Sequence, residues 1–325
     1  MKELKITKND AGQRLDRFVA KALPLLPDSL LQKYIRLKRI KLNGKGAKRD
    51  ERLKQGDVLQ LYIADEFFER PNEKNAYLKL SKPRLDIIYE DENILLVDKP
   101  SGVLCHSGGK QSQDSLVTNI QAHCYLKGQW RPHEENSFAP ALCNRIDRNT
   151  GGIVIAAKNA EALRIINEKI KKREIDKYYL CAVVGKPRPP KGILEDYIFK
   201  DRSKNQVFIK DADFSGAKLA ATEYNTLVYK NGLSLVECRL ITGRTHQIRA
   251  QMANIGTPLL GDLKYGVKSE NQSFGEKGQA LYSYKISFDF KSPAGALDYL
   301  SGRCFSVSKV DFAEKYFDFN ISVDK

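Results

Sequence analysis

No two of the six cysteines (Cys105, Cys124, Cys143, Cys181, Cys238 and Cys304) stand in Cys-x-x-Cys spacing, so a zinc ribbon, a redox dithiol and a disulfide framework are all excluded as the basis of this chain. The four histidines are scattered. His246 has no second ligand at metal spacing, while His123 beside Cys124 and His133 beside Glu134 are isolated pairs and read as non-catalytic. No window approaches the roughly 20 apolar residues of a membrane span, and the start, Met1 to Lys8, has no apolar signal core. The expectation is a soluble, cytoplasmic protein with no membrane partner. Acid is short as well: 40 Asp and Glu face 55 Lys and Arg, a net charge of +15 that calls for a polyanionic partner, most often nucleic acid. Hydrophobic residues make up 42%, enough for a globular core, and 325 residues predict two domains or one large domain with an appendage.

The excess charge is concentrated at the front, where residues 1–64 hold 16 Lys and Arg against 7 Asp and Glu. Leu15, Phe18, Val19 and Ala22 recur at helical spacing in a helix over 12–22 that Pro24 and Pro27 end. A second helix, capped by Asp28 or Ser29, runs through Lys38; a strand over 40–44 ends in a tight Asn43-Gly44 turn, and another strand spans 58–63. Two short helices and a hairpin with a dense basic face make an RNA-binding module. Gly12, Arg14, Leu15, Asp16, Ile35-Arg36, Ile40, Asn43-Gly44, Leu53, Gly56 and Asp57 resemble the RNA-binding domain shared with ribosomal protein S-four, with Lys38 where that family usually has glycine. The clustered basic side chains Arg14, Arg36, Lys38, Arg39 and Lys41 are expected to contact RNA. Residues 65–83, acidic and then polar, read as an interdomain linker, and residues 84–325 as the catalytic domain.

In that second part, strands over 85–89 and 94–97 lead to Asp98-Lys99-Pro100-Ser101-Gly102, and 107–110 reads as a flexible loop, since it lacks Walker spacing. The stretch on which the rest converges is Cys143 to Lys158. Asp147 stands between Arg145 and Arg148, a turn follows at Asn149-Thr150-Gly151-Gly152, and Ile153 to Ala157 is a β-branched run that predicts a buried strand. An acid there is held at the edge of the core with solvent in reach. Next come a helix over 160–173 capped by Asn159, a strand over 177–185, and a glycine turn opening a helix on which Thr245, Ile248, Arg249 and Met252 are neighbours.

Arg145-Ile146-Asp147-Arg148-Asn149-Thr150, Lys177-Tyr178-Tyr179, Gly243 to Arg249 and Gly261-Asp262 with Tyr265 together resemble the motifs of the RluA-type pseudouridine synthases, in order. The chain departs from them at Asn144 and Tyr282, both usually His, at Asn149, usually Asp, and at Gly151, usually Ser. The resemblance implies an α+β fold with a mixed, largely antiparallel central sheet and a basic cleft. Asp147 would be the catalytic residue, Arg249 its ionic partner, Tyr179 the residue packed on the uracil and accepting its C5 proton, and Arg145 the side chain filling the gap left by the flipped base. Arg148 and Arg244 would contact RNA, and His246 would be a hydrogen-bonded structural histidine. An isomerisation gains and loses no electrons or groups, so no cofactor and no metal are expected. The expected substrate is large-subunit ribosomal RNA, with transfer RNA the alternative, and a monomer is expected. The rivals are a non-catalytic RNA-binding assembly factor and a glycosylase that releases uracil.

Overall fold

The computed structural model describes the chain except residues 69–71, 108–113, 202, 204, 205, 211, 213, 267–273, 275–277 and 322–325. The expected loop at 107–110 and the middle of the linker therefore lie largely outside the described residues.

The first 64 residues form their own small sheet and core. Strands β1 (Lys2–Lys5), β2 (Ile40–Leu42), β3 (Lys45–Gly46) and β4 (Val58–Leu61) lie in the order β1-β4-β2-β3. Helices α1 (Leu15–Ala22) and α2 (Asp28–Arg36) bury Leu15, Phe18, Val19 and Leu31 against them. The expected side-chain cap of α2 does not form: Pro27 occupies the cap position, its extended backbone leading directly into the helix. The helix stops at Arg36 because Lys38 takes a left-handed conformation (φ 55°), the geometry for which glycine is the ordinary choice. β1 was not legible in the sequence, since Lys2 to Lys5 is an exposed edge strand with no apolar alternation.

This unit is packed on the larger one through polar contacts. Asp10, fully buried, accepts from Asn136 Nδ2 and Ser137 Oγ (both 2.7 Å), and the Ala160 N–H at the start of the fourth helix donates to Asn9 Oδ1 (3.1 Å). Between the two units, 3₁₀ turns cover Asp65–Phe68 and Asn72–Lys79. Tyr77 is buried edge-on against Trp130, with ring centroids 5.0 Å apart, so the end of this segment is tied to the larger core.

The larger unit is built on one twisted sheet of strands β5 (Asp86–Glu90), β6 (Ile94–Lys99), β7 (Ala141–Leu142), β8 (Gly151–Ala157), β9 (Ile175–Val184), β10 (Lys191–Asp201), β11 (Gln206–Lys210), β12 (Lys218–Lys230), β13 (Leu233–Leu240), β14 (Leu281–Phe288) and β15 (Cys304–Ser306). The order is β11-β10-β12-β13-β9-β14-β8-β6-β5, with β7 beside β8 and β15 beside β14. Every described pairing is antiparallel except β14 with β8, which makes the expected mixed, largely antiparallel α+β sheet. β8 is an interior strand, between β14 and β6, and all seven of its residues are buried, as its β-branched run predicts. Helix α4 (Ala160–Lys171), capped by Asn159 Oδ1 accepting from the Ala162 N–H at 2.8 Å, and α6 (Asp311–Phe317) cover one face. Helices α3 (Leu116–Leu126) and α5 (Gln247–Asn254) cover the other. Among the described residues no helix is long and apolar enough to cross a membrane.

Candidate active site

The turn that carries Asp147 is pinned from beneath by a fully buried lysine. Lys99, at the end of β6, donates from Nζ to the carbonyls of Pro100 and Val103 (2.9 Å each) and of Arg148 (3.0 Å). Burial pulls its ammonium down to about 8, against the opposing pull of Cys105, Asp147 and Asp98. The Gly102 N–H donates to the Arg148 carbonyl and Arg148 Nε donates back to the Gly102 carbonyl, both at 2.9 Å. Gln279 Nε2 reaches Thr150 Oγ1 at 2.7 Å. Gly152 (φ 114°) lies against the β14 backbone so closely that a Cβ would stand 2.2 Å from the Ser283 carbonyl oxygen, so only glycine can lead this turn into β8.

Held in this way, Asp147 lies in a cleft of about 1080 Å³, with Tyr179, His246 and Arg249 also in its walls. Arg249 Nη1 donates to Asp147 Oδ2 at 3.2 Å. The arginine is itself gripped by Asp262, through Nε to Oδ2 at 2.7 Å and Nη2 to Oδ1 at 2.8 Å, a paired geometry that fixes the guanidinium plane. Burial works against both charges. The Arg249 bonds nonetheless lower the Asp262 carboxyl, and the Asp262 bonds raise the Arg249 guanidinium, so the buried pair stays ionised.

His246 takes the left-handed conformation that starts α5 (φ 52°), which turns its ring into the cleft. Its Nδ1 is 2.9 Å from the Tyr265 hydroxyl, and that hydroxyl accepts from the Val207 N–H at 2.9 Å. The hydroxyl still has its proton to give to Nδ1, and in the tautomer that accepts it Nε2–H faces Asp147 Oδ2, 3.7 Å away. Burial lowers the pKa of His246, with Asp147 pulling the other way. The histidine is hydrogen-bonded as expected, and it also reaches the acid. Asp262 and Lys99 completed the site without being singled out for these roles. Their signal lay in the Gly-Asp-x-x-Tyr and Lys-Pro segments, but a lone acid or lysine does not reveal what it binds.

Tyr179, on β9, is buried at the cleft floor, and burial pushes its hydroxyl up to about 12, with a Ser283 hydrogen bond and Asp147 as lesser influences. At neutral pH it is therefore a phenol that offers a flat surface and a hydrogen bond. Arg145 is exposed at the cleft and, among the described residues, forms no ion pair with Asp147. Arg148 and Arg244 are exposed as well, each anchored by Nε to a backbone carbonyl, of Gly102 and Leu219 respectively. In the N-terminal unit, Arg36, Lys38 and Arg39 are exposed and Lys41 is half-buried beneath the ring of Tyr62. Arg14 is different: it is held bidentately by the buried Asp16, at 3.2 and 2.8 Å, and serves that ion pair. No group of three His, Cys, Asp or Glu among the described residues could hold a metal ion. Asn144, in the usual place of a histidine, accepts from the Ile155 N–H at 2.8 Å and so ties the stretch that leads to Asp147 to β8.

The fold is that of pseudouridylate synthases. The human RNA pseudouridylate synthase domain-containing protein 4 superimposes with a TM-score of 0.53 over 72% of this chain and 92% of its own, at 20% identity. In sequence, the description RNA pseudouridylate synthase fits residues 93–254. An uncharacterized RNA pseudouridine synthase of Mycoplasma genitalium is 36% identical over 288 residues, 87% of this chain and 88% of its own. The ribosomal large subunit pseudouridine synthase D of Neisseria meningitidis is 30% identical over 287 residues, 86% of this chain and 72% of its own. This chain belongs to the RNA pseudouridine synthases, within the RluA-type family, and is an isomerase that acts on RNA.

Proposed function

We propose that the enzyme isomerises uridines of large-subunit ribosomal RNA and that Asp147 is its catalytic carboxylate. The observation that carries the reading is the Asp147–Arg249–Asp262 chain, which points a half-exposed carboxylate into a basic cleft. In the reaction the bond between N1 and the ribose C1′ breaks, the uracil turns, C5 bonds to C1′, and C5 gives up its proton while N1 gains one. A carboxylate serves such a reaction by attacking the ribose or by removing a ribose proton to start elimination. Arg249 supports either route by fixing the anion in place. Tyr179 is the surface on which the uracil packs and turns, and its raised pKa makes it a hydrogen-bonding floor more than a standing base for the C5 proton. Arg145, unpaired among the described residues at the mouth of the cleft, occupies the stack that the flipped uridine leaves.

Residues 1–64 act as an S-four-like RNA-binding domain, 65–83 join it to the catalytic domain at 84–325, and the net charge of the first segment serves backbone contact. The ribosomal substrate is supported by the names of two relatives, the Neisseria meningitidis enzyme above and the ribosomal large subunit pseudouridine synthase C of Rickettsia bellii, 32% identical over 267 residues. Site-resolved pseudouridine mapping of total RNA with and without the gene tests the assignment. Loss of one or more sites in large-subunit RNA is expected. Loss confined to transfer RNA would overturn the substrate, and an unchanged map with free uracil released would favour the glycosylase.

A further inference from the structure

Cations that line the catalytic cleft outside the Asp147 cluster include Lys171, Arg173, Lys177, Lys200 and Arg244. Lys171 ends α4, Arg173 lies in the turn from there to β9, Lys177 is on β9, Arg244 follows β13 and Lys200 is on β10. Sheet order turns this set into a lane. Lys177 and Tyr179 lie two residues apart on β9, so their side chains share one face at a spacing of about 6.6 Å. Tyr178 pairs with Arg239, which puts Leu240, next along β13, beside Lys177, and Leu240 pairs with Thr222 of β12. Arg244 is anchored on the Leu219 carbonyl of that same strand, and β10 lies beyond it. The cations thus run from the α4–β9 turn across the end of the sheet, passing the residue next but one to Tyr179.

Their charges are uncommitted among the described residues. The carboxylates nearest in the chain to Lys171, Arg173 and Lys177 are occupied: Glu168 by Lys172, Glu174 by Lys169, and Asp176 by Arg239. Lys177 is the telling member, because it is half-buried, no described carboxylate pairs with it, and burial lowers its pKa despite the adjacent Asp176. A partly desolvated ammonium without an anion is costly to keep, and an arriving phosphate relieves that cost.

We propose that this lane carries the single strand of RNA flanking the target uridine, with Lys177 taking a backbone phosphate while the base enters over Tyr179. The proposal rests on the cleft being where the RNA is modified, and its test reads binding so that the two can fail separately. Full-length enzyme is titrated with an unstructured oligouridine of about a dozen nucleotides, a length typical of single-strand sites, across a range of salt. Removing one cation from a phosphate of a single strand flattens the slope of log affinity against log salt by about 0.7. Lys177→Gln is expected to weaken binding about tenfold and flatten the slope by about that 0.7. Lys177→Arg should keep the parent slope, and the exposed double variant Lys171→Gln with Arg173→Gln should flatten it without any risk to the core. Replacing the oligonucleotide phosphates with neutral methylphosphonates should erase the difference between parent and Lys177→Gln. Weaker binding at an unchanged slope, or an unchanged slope in both Gln variants, overturns the lane. A retained slope difference in an enzyme that converts no uridine counts against the catalytic reading alone.

Discussion

The ring of Tyr282 fills the space that a side chain at residue 151 would need: a Cβ on Gly151 would stand 2.3 Å from Tyr282 Cε2. The tyrosine is fixed there by its hydroxyl, which donates to Asp98 Oδ1 at 2.7 Å. The two departures from the expected family pattern, glycine for serine at 151 and tyrosine for histidine at 282, thus meet in one space. Gly151→Ser alone should overpack the turn beside Asp147 and destabilise the enzyme by about 1–3 kcal/mol. Gly151→Ser combined with Tyr282→His should recover most of that loss in urea unfolding, and additive losses would contradict the pairing.

Asp262 is predicted to matter through Arg249. Asp262→Asn leaves a buried guanidinium with half its grip, a change of the kind that costs about 3–5 kcal/mol when one partner of a buried pair is removed. Urea unfolding should show the loss. Arg249→Lys should also lower single-turnover conversion strongly, because one ammonium cannot hold Asp262 in two places and reach Asp147 as well. A lysine variant with parental turnover would mean that the planar fork is dispensable.

Acid should unfold the enzyme partly through Glu90. Burial pushes this carboxyl up, but hydrogen bonds from Lys127, Lys158 and His123 outweigh burial and hold it at about 2, below its ordinary 4.5. A carboxyl depressed by folding contributes stability that is complete above pH 4.5 and fades as pH falls toward 2. The Glu90→Gln enzyme should be less stable than the parent at neutral pH, and the gap should narrow across that window in acid titrations followed by circular dichroism. A gap constant with pH would assign the effect to packing.

Arg145→Ala separates base extrusion from bond chemistry. Since Arg145 has no ion pair with Asp147 among the described residues, its loss should be severe on a structured RNA and mild on a short unstructured oligonucleotide, where unstacking costs less. Equal losses in single-turnover conversion on the two substrates would sink the wedge role.

The parts of the molecule legible from sequence were those whose signal is local. The β-branched run of β8, the Asn159 cap of α4 and the Asn43-Gly44 turn each declare themselves within a few residues. Helix α3 was silent because it buries Thr118 and Asn119 along with Leu116 and Ile120, which erases the apolar stripe that marks a helix. The long hairpins from β10 to β13 were missed for a related reason: partners such as Tyr224 and Cys238 are set by pairing across the sheet. In the site, motif order brought out Asp147, Tyr179 and Arg249. Their geometry depends on Lys99 and Asp262, whose partners lie 49 and 13 residues away along the chain, and on a left-handed His246.

The role of Asp147 as the carboxylate that performs the isomerisation is tested most directly by Asp147→Asn, which removes the charge with little change in volume. Single-turnover conversion of the mapped uridine and RNA affinity are measured on the same preparation of parent and variant. Conversion should be abolished while affinity stays close to the parent's. Turnover retained within about tenfold, equivalent to roughly 1.4 kcal/mol of barrier, would contradict the assignment of Asp147 as the catalytic residue.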